Sequence, residues 1–171
     1  MVVILSDRKN GFERTMKNKL LKLGGDFISD GKITEGGHIF TGIILNKPSK
    51  ILLKKGIIIL SDNIKNFKKQ DIPKGVIGVC REGNFNGLAL LERNGIPTIS
   101  CGTGRKNTLT VSSLNDNDIM VCLQRSITDI NGNIVEPCEI KAQNKIKNDF
   151  YATLAAVAVK LIYGIKDDFV I

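Results

Sequence analysis

Val76-Ile77-Gly78-Val79-Cys80 is a short apolar run, and Leu88-Ala89-Leu90-Leu91 sits inside a stretch closed by Asn94-Gly95. Pro97-Thr98-Ile99-Ser100-Cys101 follows and empties into Gly102-Thr103-Gly104-Arg105-Lys106-Asn107-Thr108. Residues 76–111 thus read as strand, helix, strand and polar glycine-rich loop. Two strands separated by a helix of this length imply a parallel pair, because parallel strands need a crossover connection. Sheets of this kind are covered on both faces, and ligands bind where strands end and helices begin. The span says more about architecture than about activity.

Outward from this unit the pattern repeats. Val2–Leu5 reads as a strand, and Phe12, Met16, Leu20 and Leu23 recur at helical spacing over residues 11–23 before Gly24-Gly25 stops the helix. Phe27-Ile28 and residues 39–45 read as strands. Ile57-Ile58-Ile59-Leu60 is too continuous for a half-exposed strand and suits a central parallel one. Residues 64–70 read as a short basic helix ended before Pro73. Residues 109–113 form a further strand, and residues 118–128 and 133–141 flank Asp129-Ile130-Asn131-Gly132, where Asn-Gly is a strong hairpin signal. A helix from about Asp149 to Tyr163, apolar or alanine on its inner face, stops at Gly164. The expected fold is α/β in three layers: a mostly parallel sheet, helices on both faces, and an antiparallel hairpin near the C-terminus. No linker, composition break or internal repeat divides residues 1–171, so one domain is expected.

The bulk properties narrow the classes. A chain of 171 residues can bury roughly two thirds of its unfolded surface, and 42% hydrophobic with 25% charged residues is an ordinary globular balance. No apolar run approaches the roughly 20 residues of a membrane span. Met1-Val2-Val3-Ile4-Leu5-Ser6-Asp7 has no basic residues ahead of its apolar ones, which reads as a first strand rather than a signal peptide, with the cytoplasm as the expected location. Cys80, Cys101, Cys122 and Cys138 include no C-x-x-C pair, and the one histidine is His38. Neither a zinc site nor a histidine-based nucleophilic triad follows from that set, and no cofactor or metal is implied. The cysteines read as small buried hydrophobes, and His38 as a packing or surface residue. Net charge is +8, but lysines dominate it, densest at Lys47, Lys50, Lys54, Lys55, Lys65, Lys68, Lys69 and Lys74. With only Phe67 among them, and no RNP-like or helix-turn-helix pattern, a solvated lysine face explains this better than nucleic-acid binding.

Three loops follow predicted parallel strands and should emerge on one edge: residues 6–11, 81–87 and 102–108. Each carries glycine, small polar side chains and at least one arginine. Glycine lets backbone approach a ligand, consecutive N–H groups form a nest, and arginine grips planar oxyanions. Arg8, Lys9, Arg81, Asn84, Gly102, Thr103, Gly104, Arg105 and Lys106 are therefore the candidate anion-binding residues. Such loops are also rich in Gly, Asn and Asp for turn reasons alone. Asp7, Asp62 and Glu82 follow strands, yet no paired-carboxylate motif is readable. The first loop lacks both the paired glycines and the Ser or Thr after lysine that a Walker loop requires.

The closing segment Asn148-Asp149-Phe150-Tyr151-Ala152-Thr153-Leu154-Ala155-Ala156-Val157-Ala158-Val159, ending Tyr163-Gly164-Ile165, resembles the helix that ends the central ATPase domain of the Mur ligases. That helix is typically written G-x-H-N-x-x-N-A-L-A-A-x-A-x-A, followed by a Leu-Gly-Ile-like stop. Residues 76–102 look like the family's strand, "N-A-D-D-P" turn, helix and "V-x-T-F-G" strand, and residues 122–140 like its hairpin region. Residues 2–24 have the layout of its first strand, P-loop and helix. The resemblance covers most of the chain through layout and apolar pattern more than identities. The catalytic letters depart from it. Lys9 falls at the P-loop lysine, but Asn10 replaces the metal-binding hydroxyl, and Leu5 and Arg8 replace glycines. The His-Asn pair lands on Asn148-Asp149, the later Asn on Ala152, and the turn reads Arg81-Glu82-Gly83-Asn84-Phe85. No residue matches the magnesium ligands, and 171 residues leave no room for the flanking domains. The resemblance therefore implies a reduced relative of the central domain that does not ligate.

Three functions remain open. One is a non-catalytic Mur-ligase-like domain holding a small anionic ligand or nucleotide. Another is a small enzyme acting on a phosphorylated or carboxylated metabolite, and the third is a basic polyanion-binding module.

Overall fold

A computed structural model describes residues 1–6, 11–29, 31–46, 48, 50–62, 64, 70–115, 118–143 and 150–165. The elements in order are β1 (Val2–Leu5), α1 (Gly11–Lys22), β2 (Gly25–Ser29), β3 (Lys32–Thr34), β4 (Phe40–Leu45), β5 (Gly56–Leu60), β6 (Val76–Arg81), α2 (Phe85–Arg93), β7 (Thr98–Gly102), β8 (Leu109–Leu114), β9 (Asp118–Leu123), β10 (Ile127–Thr128), β11 (Ile134–Val135), β12 (Glu139–Gln143) and α3 (Phe150–Tyr163). A ten-stranded sheet has the order β12-β9-β8-β7-β6-β5-β1-β4-β2-β3. Every pairing from β8 across to β2 is parallel, and the antiparallel strands lie at the two ends. The α/β architecture expected from the sequence is present.

Side-chain alternation in the central strands builds two cores. Val2, Ile4, Ile57 and Ile59 join α1 and α3 on one face. Val3, Leu5, Ile58 and Leu60 face Leu90 and Leu91 of α2, with Ile51, Ile64 and Ile72, on the other. Period-two alternation sends successive residues to opposite faces, so a strand buried on both reads as a continuous apolar run. Helix α3 is buried all round, residues 151–160 without a break, because the sheet lies beneath it and α1 packs beside it. Its alanines let these neighbours approach closely. Gly164, at φ +62, ends the helix in the left-handed conformation that glycine adopts without strain. Gly78 serves α2 in another way. A Cβ there would stand 2.7 Å from the Leu91 side chain, so its absence seats the helix on β6.

The hairpin departs in detail from the expectation. The Asn-Gly turn is there, with Gly132 at φ +90, but it closes only the small β10–β11 sheet. The longer pairing is β9 with β12, inside the main sheet. The strand breaks where Gln124 donates its N–H to Thr108 O and where Pro137 offers no N–H to a ladder. The short edge strand β3, antiparallel on β2, was not expected. The predicted basic helix at 64–70 falls mostly on residues 65–69, outside the described residues.

Candidate functional site

The parallel strands β5, β6 and β7 end at one edge of the sheet, and all three helices point their N-termini there. Helix α2 follows β6 directly, α1 follows β1, and α3 runs back against the strands. The Tyr151 hydroxyl at its start donates to Leu60 O at 2.6 Å and lies 3.3 Å from Val79 O, while its last residue, Tyr163, meets the N-terminal ammonium. Phe12 stacks on Tyr151 with ring centroids 4.9 Å apart, joining the first turns of α1 and α3. The topological switch lies between β1 and β5, whose connections leave toward opposite faces, with Ser61 N–H bonded to Leu5 O.

The structure brings two of the three expected loops together. Arg81 Nη1 lies 2.8 Å from Asp62 Oδ2 in a partly exposed ion pair. Asn84 is buried. Its side-chain oxygen accepts from Gly87 N–H and caps α2, while its Nδ2 donates to Ser61 O at 2.9 Å. Glu82 reaches into the loop after β7 and accepts from Gly104 N–H and from Asn107 Nδ2 at 2.8 Å. These donors hold its carboxyl below the usual carboxylate range, the Gly104 N–H first and Asn107 next. Gly102 and Gly104 are glycines for a visible reason: a Cβ at either would run into the Glu82 side chain. The nest expected to cradle a ligand thus receives a carboxylate of the chain itself. Thr103, Arg105 and Lys106 lie exposed on the same loop, and Lys106 O accepts from Arg125. Arg8 and Lys9 lie outside the described residues.

Asp62, Glu82 and Asn107 were not among the sequence candidates. Asp62 and Glu82 do not form a carboxylate pair with each other here, since each has its own partner. Burial pushes the Cys80 thiol up to about 12 and Cys101 higher, which suits inert core cysteines. His38 stands before β4, at the far edge of the sheet, bonded to Asp26 at 2.6 Å. Among the described residues no cluster of His, Cys, Asp and Glu could hold a metal ion, and no helix is long and apolar enough to cross a membrane.

No protein-family model matches this chain, and no curated protein matches it. Among solved structures it is similar to a crystal structure of MurF from Acinetobacter baumannii, with a TM-score of 0.52 at 9% identity. The alignment covers 98% of this chain and 43% of that one, so the chain spans less than half the length of that protein. The chain has a Mur-ligase-like fold. At such identity the likeness concerns the fold and carries no chemistry across.

Proposed function

We propose that this chain is a single non-catalytic domain of Mur-ligase-like form that binds a small phosphate- or carboxylate-bearing ligand at the C-terminal edge of its parallel strands. The observation that carries this reading is the convergence of three helix N-termini on the edge that also bears Arg81, Arg105 and Lys106. Helix N-termini carry a partial positive charge, which favours an anion. Arg105 and Lys106 supply exposed cations beside them, and Arg8 and Lys9 follow β1 in the chain. Two features argue against phosphoryl chemistry: the loop after β1 lacks the Walker glycines, and Asn10 stands where a hydroxyl would hold Mg²⁺.

The test is equilibrium titration with inorganic phosphate and with ATP, each with and without Mg²⁺, over a range of salt. Binding should be indifferent to Mg²⁺ and should weaken as salt rises, because exposed charges are screened. Arg105→Ala should weaken it by about 1.5–3 kcal/mol, the size of a charge-assisted hydrogen bond. Steady Mg²⁺-dependent phosphate release from ATP that vanishes in Lys9→Ala would overturn the non-catalytic part of the reading.

A further inference from the structure

At the opposite edge, where β5, β6 and β7 begin, the main sheet and the β10–β11 hairpin enclose an open groove of about 710 Å³. That lies within the roughly 300–1,000 Å³ common among small-molecule sites. Its walls are held by bonds within the fold. Ile130 N–H donates to Ile162 O, which ties the hairpin turn to the end of α3, and Ile127 and Ile130 pack against the larger core. Ile77, Pro97 and Ile99 line the sheet side, so the middle of the groove is mostly apolar.

Charge at this groove is mainly basic. The register Gly56↔Val76 puts Lys55 beside Gly75. A Cβ on Gly75 would collide with Lys54 O, so the two turns run in backbone contact and Lys55 and Lys74 leave from neighbouring points. Both lysines are exposed, and neither has a hydrogen bond or ion pair among the described residues. Arg125 lines the far end and spends one donor on Lys106 O. The single acid in the lining, Asp129, turns its oxygens to Asn131 N–H, Asn133 N–H and the Asn133 side chain. An apolar groove lined by two lysines from neighbouring turns, neither partnered among the described residues, is complementary to a ligand with an apolar body and a doubly charged head.

We propose that this groove binds a phosphate monoester of apolar character, its phosphate between Lys55 and Lys74 and its hydrocarbon along Ile77, Pro97 and Ile127. Two lysines act as point charges that match a phosphate near −2 at neutral pH, whereas a carboxylate carries one charge and is better matched by the planar fork of arginine. The site is separate from the anion-binding edge proposed above and does not depend on it.

Calorimetric titration with octyl phosphate, kept below its micellar range, tests this against inorganic phosphate, octanoate and octanol. With the other edge weakened by Arg105→Ala, octyl phosphate should saturate one site per chain, and each of the other three should bind at least tenfold more weakly. Lys55→Gln combined with Lys74→Gln should weaken octyl phosphate at least tenfold without moving the melting temperature, and Arg105→Ala should leave it unchanged. In the Arg105→Ala chain, equal binding of inorganic phosphate, of octanoate or of octanol overturns the proposal. So does no binding of octyl phosphate, an unaffected double variant, or loss of binding in Arg105→Ala, which would place the ligand at the other edge.

Discussion

The two edges of the sheet carry polar loops of opposite character. At the C-terminal edge, glycine, asparagine and arginine crowd three loops, yet most of these groups are bonded to one another. Arg81 holds Asp62, Glu82 holds Gly104 and Asn107, and Asn84 holds Ser61 and Gly87. At the N-terminal edge, the plain turns at 54–56 and 74–76 leave Lys55 and Lys74 unpartnered among the described residues, beside an apolar groove. Residue type cannot distinguish a donor aimed at solvent from one spent inside the fold. The position of its partner across the sheet decides, and that partner lies tens of residues away in the chain.

If the C-terminal edge is internally bonded, removing a shared residue there should cost more than any loop substitution at the other edge. Asn84→Ala should show the largest effect, about 2–3 kcal/mol, because it removes the cap of α2 and leaves Ser61 O, at the buried end of β5, without its donor. Denaturant unfolding measures it, and Asn84→Asp, which keeps the cap acceptor, should recover part of the loss. A cost below about 0.5 kcal/mol would erase the contrast between the edges. Tyr151→Phe comes next at about 1–1.5 kcal/mol, since it deletes one buried hydroxyl whose carbonyl partners lie in the parallel ladder. An unchanged unfolding midpoint would show that these carbonyls are satisfied without it.

The same contrast explains what was legible in the sequence. The central strands were, because Ile57-Ile58-Ile59-Leu60 and Val2-Val3-Ile4-Leu5 are apolar at every position, which only a two-sided core accounts for. Helix α3 was, from its alanines and Gly164. The lengths of the hairpin arms were not, since the Asn-Gly turn marks a reversal but not how far the pairing runs. Glu82 was missed as a structural group because Gly104 and Asn107, its partners, look like ligand-binding residues in isolation. Lys55-Gly56-Ile57 and Lys74-Gly75-Val76 share one pattern just before parallel strands. The register Gly56↔Val76 offsets the two patterns by one residue, so that Lys55 falls beside Gly75, next to Lys74; without the register the lysines read as a solvated face.

Glu82→Gln should have a smaller effect, and one that depends on pH. The carboxyl is held below its ordinary value of 4.5 by the Gly104 N–H and then Asn107. A depressed carboxylate stabilises the fold above its unfolded pKa and loses that contribution as pH falls through the lowered folded value. Stability should therefore decline below about pH 4.5 in the parent chain and decline less in Glu82→Gln. At pH 7 the cost should stay under about 1 kcal/mol, because Glu82 is largely exposed and solvent screens it. Parallel acid limbs in the two proteins would mean that the loop closes without this charge.

The smallest expected effect on stability belongs to Arg105→Ala. Arg105 lies on the loop that Glu82 fastens, one residue from Gly104, and it is exposed with no partner among the described residues. The loop keeps its shape through Glu82, Gly104 and Asn107, none of which the substitution touches. Unfolding free energy should therefore shift by less than about 0.5 kcal/mol, as exposed loop substitutions do away from caps, cores and networks, and the acid limb set by Glu82 should not move. Phosphate affinity at this edge should fall at the same time. Loss of binding with stability intact would mark Arg105 as the outward-facing member of an otherwise internally bonded edge. A stability loss comparable to that of Asn84→Ala would place it inside the bonded set, and the edge would then present no arginine on this loop to a ligand.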